Sequence, residues 1–187
     1  MPPGGAEVEI AVLFSDVRGS TSLGEQLGPA EFAALLNKFY DVATITLLEH
    51  EGTIDKMVGD EVMALFIPGF CGPNYRLHAV RAAEALIRAI GYREGSEPLL
   101  PVGVSIHAGP AYVGKVGSGG VTDFTALGDT VNTAARLQAI AGAGEVLLSE
   151  VLFQAVAEHY PQLEQRVVTL RGKEEPFAIR VLHCGAR

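Results

Sequence analysis

The stretch from Thr53 to Ile67 constrains this chain more than any other. Two runs, Thr53-Ile54-Asp55-Lys56-Met57-Val58 and the largely apolar Glu61-Val62-Met63-Ala64-Leu65-Phe66-Ile67, are joined by Gly59-Asp60 alone. Two strands around a Gly-Asp turn predict a hairpin, because Gly takes a positive φ at little steric cost. Upstream, Val8 to Phe14 is a short apolar run rich in branched residues and predicts a buried strand. It opens into Ser15 to Thr21, a turn-like loop of Gly and small hydroxyl residues. A helix is expected from Pro29, which suits a first helical turn. Its buried face is Phe32, Leu35, Leu36, Phe39, Val42, Ala43 and Leu47, and it ends before Glu51-Gly52. Pro68 to Asn74 reads as a loop. A second amphipathic helix follows from about Leu77 to Ile90, with Val80, Ala83, Leu86, Ile87 and Ile90 inward.

Pro101 to Val116 reads as two strands folded at Ala108-Gly109-Pro110, and Gly117 to Gly120 as a flexible link. Asp123 to Gly128 leads into a third helix, from about Thr130 to Ala141. Glu145 to Leu148 reads as a strand and Glu150 to His159 as a helix. Gln165 to Leu170 and Phe177 to Leu182 are closing strands on either side of Arg171-Gly172-Lys173. The order strand, helix, hairpin, helix, strand predicts an α+β chain. Its expected architecture is a ferredoxin-like βαββαβ core, one helical layer over a mostly antiparallel sheet, with additional C-terminal helices and strands.

At 187 residues, 48% hydrophobic and 19% charged, the chain is long and apolar enough to bury a core as one domain. The formal net charge of -8 opposes a nucleic-acid partner, since neutralising phosphates needs a basic surface. A nucleoside triphosphate is still compatible if metal ions supply the positive charge locally. Cys71 and Cys184 lie far apart and are expected to be free thiols in a reducing compartment. No stretch is long and apolar enough for a bilayer, and Met1 to Gly5 lacks the regions of a secretory signal. A soluble, cytoplasmic protein without a membrane segment is the expectation. His50, His78, His107, His159 and His183 show no ligand spacing and are expected to be structural or exposed.

Two aspartates carry the first chemical signal. Asp16 stands where the first strand opens into its loop, and Asp60 at the tip of the hairpin. In the expected sheet their strands are neighbours, so the carboxylates can converge. Two close carboxylates repel unless a cation joins them, and Mg²⁺ suits one or two carboxylates plus substrate phosphates. Each could instead be a turn aspartate bonding its own backbone. The amides of Val17 to Thr21 precede a helix, and such loops cradle phosphate.

Three segments together resemble the signature of class III adenylate and guanylate cyclases. They are Phe14 to Thr21, Lys56-Met57-Val58-Gly59-Asp60-Glu61, and Gly128-Asp129-Thr130-Val131-Asn132-Thr133-Ala134-Ala135-Arg136. Their order and spacing match, and the resemblance runs from about Glu7 to Leu182. It implies that Asp16 and Asp60 bind two divalent metal ions, Mg²⁺ or Mn²⁺, with the Val17 carbonyl as a further ligand. It implies phosphate contacts from Gly19, Ser20 and Thr21, and that Lys56 meets the adenine ring. Thr125 falls where many members carry a base-reading Asp, and is similar to a bacterial subclass with Thr or Ser there. Asn132 and Arg136 match the pair that orients the ribose and stabilises the transition state. Lys173 is similar to a lysine that binds the terminal phosphates.

The expected reaction is attack of the ribose 3′-oxygen of ATP on the α-phosphorus, giving cyclic AMP and pyrophosphate. The resemblance also implies a homodimer in which one subunit gives the aspartates and the other the Lys, Asn and Arg. Lys56 donates only and suits adenine N1, while Thr125 can accept from the exocyclic amine or donate. A cyclase for GTP, CTP or UTP is the nearest alternative, followed by a degenerate nucleotide-binding or dimerisation module. A diguanylate cyclase is disfavoured because it has no place for Asn132 and Arg136. A phosphate-binding arginine common before the Phe124 segment is replaced by Gly119-Gly120, with Lys115 or Arg18 as candidate substitutes. The subclass of Thr125 includes bicarbonate-responsive enzymes, which makes bicarbonate stimulation an expectation. Either a stand-alone enzyme or part of a longer protein with regulatory domains is compatible with these features.

Overall fold

The computed structural model describes residues 4–118, 121–173 and 175–184. In chain order its elements are β1 (Gly5–Val17), α1 (Ser20–Leu27), α2 (Pro29–Glu49), β2 (Thr53–Val58), β3 (Glu61–Phe66), α3 (Pro68–Cys71), α4 (Tyr75–Ile90) and β4 (Val102–Ser118). There follow β5 (Val121–Leu127), α5 (Asp129–Gln138), β6 (Glu145–Ser149), α6 (Glu150–Gln154), β7 (Glu164–Val168) and β8 (Phe177–His183). The sheet runs β2-β3-β1-β4-β6-β8-β7, with β5 paired to β4. Its first four members have the expected βαββαβ order. Every pairing is antiparallel except β4 with β6.

Both expected amphipathic helices form, and their apolar faces turn inward as the spacing predicts, except at Phe32, which lines an open depression with Ser20 and Asp60 instead of joining the core. In α4 the side chains of Val80, Ala83, Leu86, Ile87 and Ile90 are buried. In α2 Phe39, Ala43 and Leu47 are buried, while Leu35, Leu36 and Val42 pack against the same core.

The cover of the sheet differs from the single helical layer expected. Along β1, Ala11 and Leu13 face α2 and α4, whereas Ile10, Val12 and Phe14 face Ala134 of α5 and Ala126 of β5. All five are buried. An uninterrupted apolar run instead of an alternating one is what a strand covered on both faces requires. The β4–β5 hairpin supplies part of that second cover by curling over Met63 and Leu65 of β3, which brings β5 beside β2.

A second difference lies in β4. No fold occurs at Ala108-Gly109-Pro110; the strand continues, in unbroken register with β1 from Gly5 opposite Gly114 to Val17 opposite Val102. Pro110 falls between the residues paired with β6, which end at Ile106, and those paired with β5, which begin at Tyr112. One edge of β4 has no strand partner there, a position in which a missing N–H is tolerated. Two short helices, α1 and α3, stand where only loops were expected. The flexible link expected at Gly117 to Gly120 is strand through Ser118, and Gly119 and Gly120 lie outside the described residues. Glu150 onward is helical only to Gln154.

Candidate active site

One end of the sheet carries the two aspartates. Asp16, next to last in β1, stands opposite Glu61 of β3, and Asp60 immediately precedes Glu61 in the hairpin turn. The amide of Val17 donates to the Asp60 carbonyl at 3.3 Å, tying the strand end to the turn. Gly59 makes this turn possible with φ of 63°, and the Tyr40 hydroxyl of α2 donates to its carbonyl. The Arg18 guanidinium rests on the Asp16 carboxylate and donates from Nη1 to the Gln138 carbonyl at 3.0 Å. Burial lowers the pKa of Arg18, against the raising influence of Asp60 and Glu61. Burial, and then the charge of Asp60, raises that of Glu61.

Of the five amides expected to cradle phosphate, two are committed to the fold. Val17 bonds to Asp60 and Arg18 to the Pro101 carbonyl at 2.6 Å. Gly19, Ser20 and Thr21 instead head α1, where first-turn amides have no partner within the helix. Ser20, Thr21, Gly59 and Asp60 together line an open depression of about 250 Å³.

A second cluster joins β2 to β5. Thr125 is buried and donates from Oγ1 to Asp55 Oδ2 at 2.9 Å. Lys56 Nζ lies 3.4 Å from the same Asp55 oxygen and also contacts Asp123. Hydrogen bonding to Asp123, partly opposed by burial, raises the pKa of Lys56. The expected base-contacting pair, Lys56 and Thr125, is thus brought together around Asp55.

The third cluster lies on α5. Asn132 and Arg136 are four residues apart and share a face. Asn132 is exposed; Arg136 is half-buried, and a Cβ placed on Gly172 would lie 3.6 Å from its Nη2. Lys173 Nζ reaches Asp129 Oδ2 at 2.8 Å, and this bond is the main cause of a lowered Asp129 pKa. Behind them His107 is held neutral. Burial first, and then the charge of Lys173, brings its pKa down to about 4, against the raising effect of Asp129. Among the described residues, no hydrogen bond or ion pair runs from Asp16 or Asp60 to Lys56, Thr125, Asn132 or Arg136.

The sequence model of the Adenylate and Guanylate cyclase catalytic domain matches residues 5–181. The chain belongs to the class III nucleotide cyclase family. An uncharacterized Mycobacterium tuberculosis protein, Rv1320c, is 34% identical over 181 residues, which cover 94% of this chain and 31% of that protein. The cyclase domain therefore spans about a third of the curated relatives it matches. Among solved structures, the guanylyl cyclase Cya2 aligns with a TM-score of 0.85 at 29% identity, covering 97% of this chain and 95% of that one. The adenylyl cyclase CyaB from P. aeruginosa aligns with a TM-score of 0.80 at 29% identity, covering 95% of each.

Class III cyclase domains generally use divalent metals. In this cyclase the donor set fits such ions. Asp16 at the strand end and Asp60 in the adjoining turn offer hard carboxylate oxygens at one end of the sheet, and Asp16 already draws a cationic group, Arg18, onto itself. Among the described residues no cluster of three or more His, Cys, Asp or Glu side chains is placed to hold a metal. Two carboxylates would leave most ligand positions to phosphate oxygens, the arrangement Mg²⁺ favours.

Several site residues escaped the sequence reading. Asp55 and Asp123 surround Lys56, and Asp129 holds Lys173. The available signal for Asp55 was its place beside Lys56, two opposite charges within one short strand. No helix among the described residues is long and apolar enough to cross a membrane. A depression of about 820 Å³, lined by Tyr92, Pro98, Leu163 and Cys184 among others, includes no residue of the three clusters.

Proposed function

We propose that this cyclase domain converts ATP to 3′,5′-cyclic AMP and pyrophosphate, at two sites shared across a homodimer. The observation that carries the reading is the joining of Lys56 and Thr125 at one carboxylate. Lys56 offers only donors and suits adenine N1, while Thr125 can accept from the exocyclic amine. Bound at Asp16 and Asp60, with the Val17 carbonyl as a further ligand, two divalent ions would acidify the ribose 3′-hydroxyl and balance charge on the departing phosphates.

The remaining roles belong to the chain's own groups. The amides and hydroxyls at Gly19, Ser20 and Thr21 hold phosphate at the head of α1, where the helix dipole favours an anion. Asn132 orients the ribose, so that its 3′-oxygen lies in line with the α-phosphorus. Positioning of that kind supplies roughly 7–11 kcal/mol in favourable cases. Arg136 donates to the phosphate oxygens as charge builds, a contact worth about 3–4 kcal/mol. Lys173 binds the terminal phosphates.

A homodimer is favoured by exposed apolar side chains on the two strands that carry the base cluster. Val58 of β2 is 65% exposed, and Phe124 and Leu127 of β5 are 44% and 47% exposed. A partner subunit covering them would also bring its own Asp16 and Asp60 toward Arg136.

A GTP-specific reading has one observation in its favour. Asp123 is an exposed carboxylate in the base cluster, and guanine's N1–H and exocyclic amine call for acceptors. The test is product formation, resolved by chromatography, with Mg²⁺ or Mn²⁺ and each of ATP, GTP, CTP and UTP. Cyclic AMP as the main product is the expected result; cyclic GMP as the main product would replace this reading with the second. No cyclic product from any nucleotide would point to a degenerate module.

A further inference from the structure

We infer that Asp55 sets the base preference of this domain by fixing the direction of the Thr125 hydroxyl; the inference rests on the ATP reading above. Asp55 belongs to no motif by which the family was recognised, yet it is the most buried acidic side chain of the base cluster, with 1% of it exposed. A break in strand register places it there. Ile54 pairs with Ala64 and Lys56 with Met63, so Asp55 is the extra residue of a bulge in β2. Strict alternation would send the side chains of Asp55 and Lys56 to opposite faces. The bulge relaxes that rule, and both reach one point, with Lys56 Nζ 3.4 Å from Asp55 Oδ2.

The bond to Thr125 has a direction. Thr125 Oγ1 donates its single proton to Asp55 Oδ2 at 2.9 Å, which leaves only lone pairs on the hydroxyl oxygen. An oxygen so fixed accepts from an N–H and repels a carbonyl. The exocyclic amine at position 6 of adenine is such a donor, and the oxygen at position 6 of guanine is not. The same carboxylate holds the Lys56 ammonium, the donor that suits N1. A brace that merely joined β2 to β5 would need no charge, and Asp55 Oδ1 is buried without a hydrogen-bond partner among the described residues. Such a group is costly to keep, as expected of one retained for chemistry. Asp55 is therefore a positioning residue, acting on the base through Thr125 and Lys56.

The test compares kcat/KM for ATP with that for purine riboside triphosphate, which keeps N1 but lacks the 6-amino group. Asp55→Asn keeps the shape of the side chain, and its amide can donate to Thr125, freeing the hydroxyl to turn. It is expected to cut kcat/KM for ATP about tenfold more than that for the purine analogue, the scale of one hydrogen bond, because any loss through Lys56 falls on both substrates alike. Thr125→Val should lose the same ATP preference, and adding Asp55→Asn to it should lose no more. Asp55→Ser carries the same comparison if Asp55→Asn fails to melt cooperatively. Equal losses on both substrates, or additive losses in the double variant, would overturn the inference while leaving the ATP reading intact. A wild-type domain that makes no cyclic AMP would overturn the reading itself, and the inference with it.

Discussion

His107 illustrates how the site constrains a residue that takes no part in the proposed chemistry. Its ring lies on β4 behind the third cluster, edge-on to Phe177 with ring centroids 6.1 Å apart. Burial and the nearby Lys173 bring its pKa from 6.5 to about 4 in the folded protein. Above pH 6.5 the ring is neutral whether the chain is folded or not, and it contributes no pH dependence. As pH falls below 6.5 the unfolded chain takes up a proton that the folded one refuses. Stability is lost between pH 6.5 and 4, in all about 3 kcal/mol if the unfolded ring is unperturbed. His107→Gln has no such proton to gain. Urea unfolding should show the variant gaining on the wild type across that window; a constant offset from pH 7 to 4 would refute this account. Nothing in the sequence singled out His107, because its environment is built by Lys173 and Phe177, far along the chain. The placement of Asp16 and Asp60 was legible because each stands at its own strand end or turn, and that of Lys56 because it interrupts a strand. Asp55 was not, since its aim depends on a bulge that no residue spacing encodes.

The elements owe their arrangement to close approaches as much as to apolar faces. At Gly109 a Cβ would lie 2.8 Å from Thr130 Oγ1, and that hydroxyl is itself held by the Pro110 carbonyl at 2.6 Å. Thr130 begins the second position of α5, the helix that carries Asn132 and Arg136. Gly109→Val should force α5 away from β4, at a cost of about 1–3 kcal/mol for overpacking. Turnover should fall along with stability. Gly69→Val is the control, because a Cβ there meets nothing within 4 Å and φ is not positive. Chemical denaturation and kcat on both variants check the argument; equal effects would sink it. The same Gly-Pro pair explains why β4 was expected as two strands. Gly109-Pro110 has the composition of a turn, and only the long ladder with β1 keeps it extended. The helices and the hairpin were readable from local period and turn chemistry, whereas the second covered face was set by β5, which returns over the sheet from distant sequence.

At the scale of the molecule the question is how the clusters meet. Within one chain the aspartates and the α5 cluster share no bond among the described residues, and Val58, Phe124 and Leu127 leave apolar surface uncovered. A two-fold symmetric pair of the proposed kind would resolve both facts: it would cover that surface, set each protomer's aspartates opposite its partner's α5 and make two equivalent sites. The prediction follows from which residues would share a site. Asp16→Ala and Arg136→Ala should each lower cyclase turnover by at least roughly 100-fold when alone. In an equimolar mixture half the dimers pair one variant with the other. Each such dimer has one site with both changes and one with neither, so about a quarter of wild-type activity should return. Steady-state turnover, measured after mixing and exchange at a concentration where dimers persist in sedimentation, tests this directly. If one protomer held a whole site, every site in the mixture would carry a lesion and activity would stay at the level of the single variants.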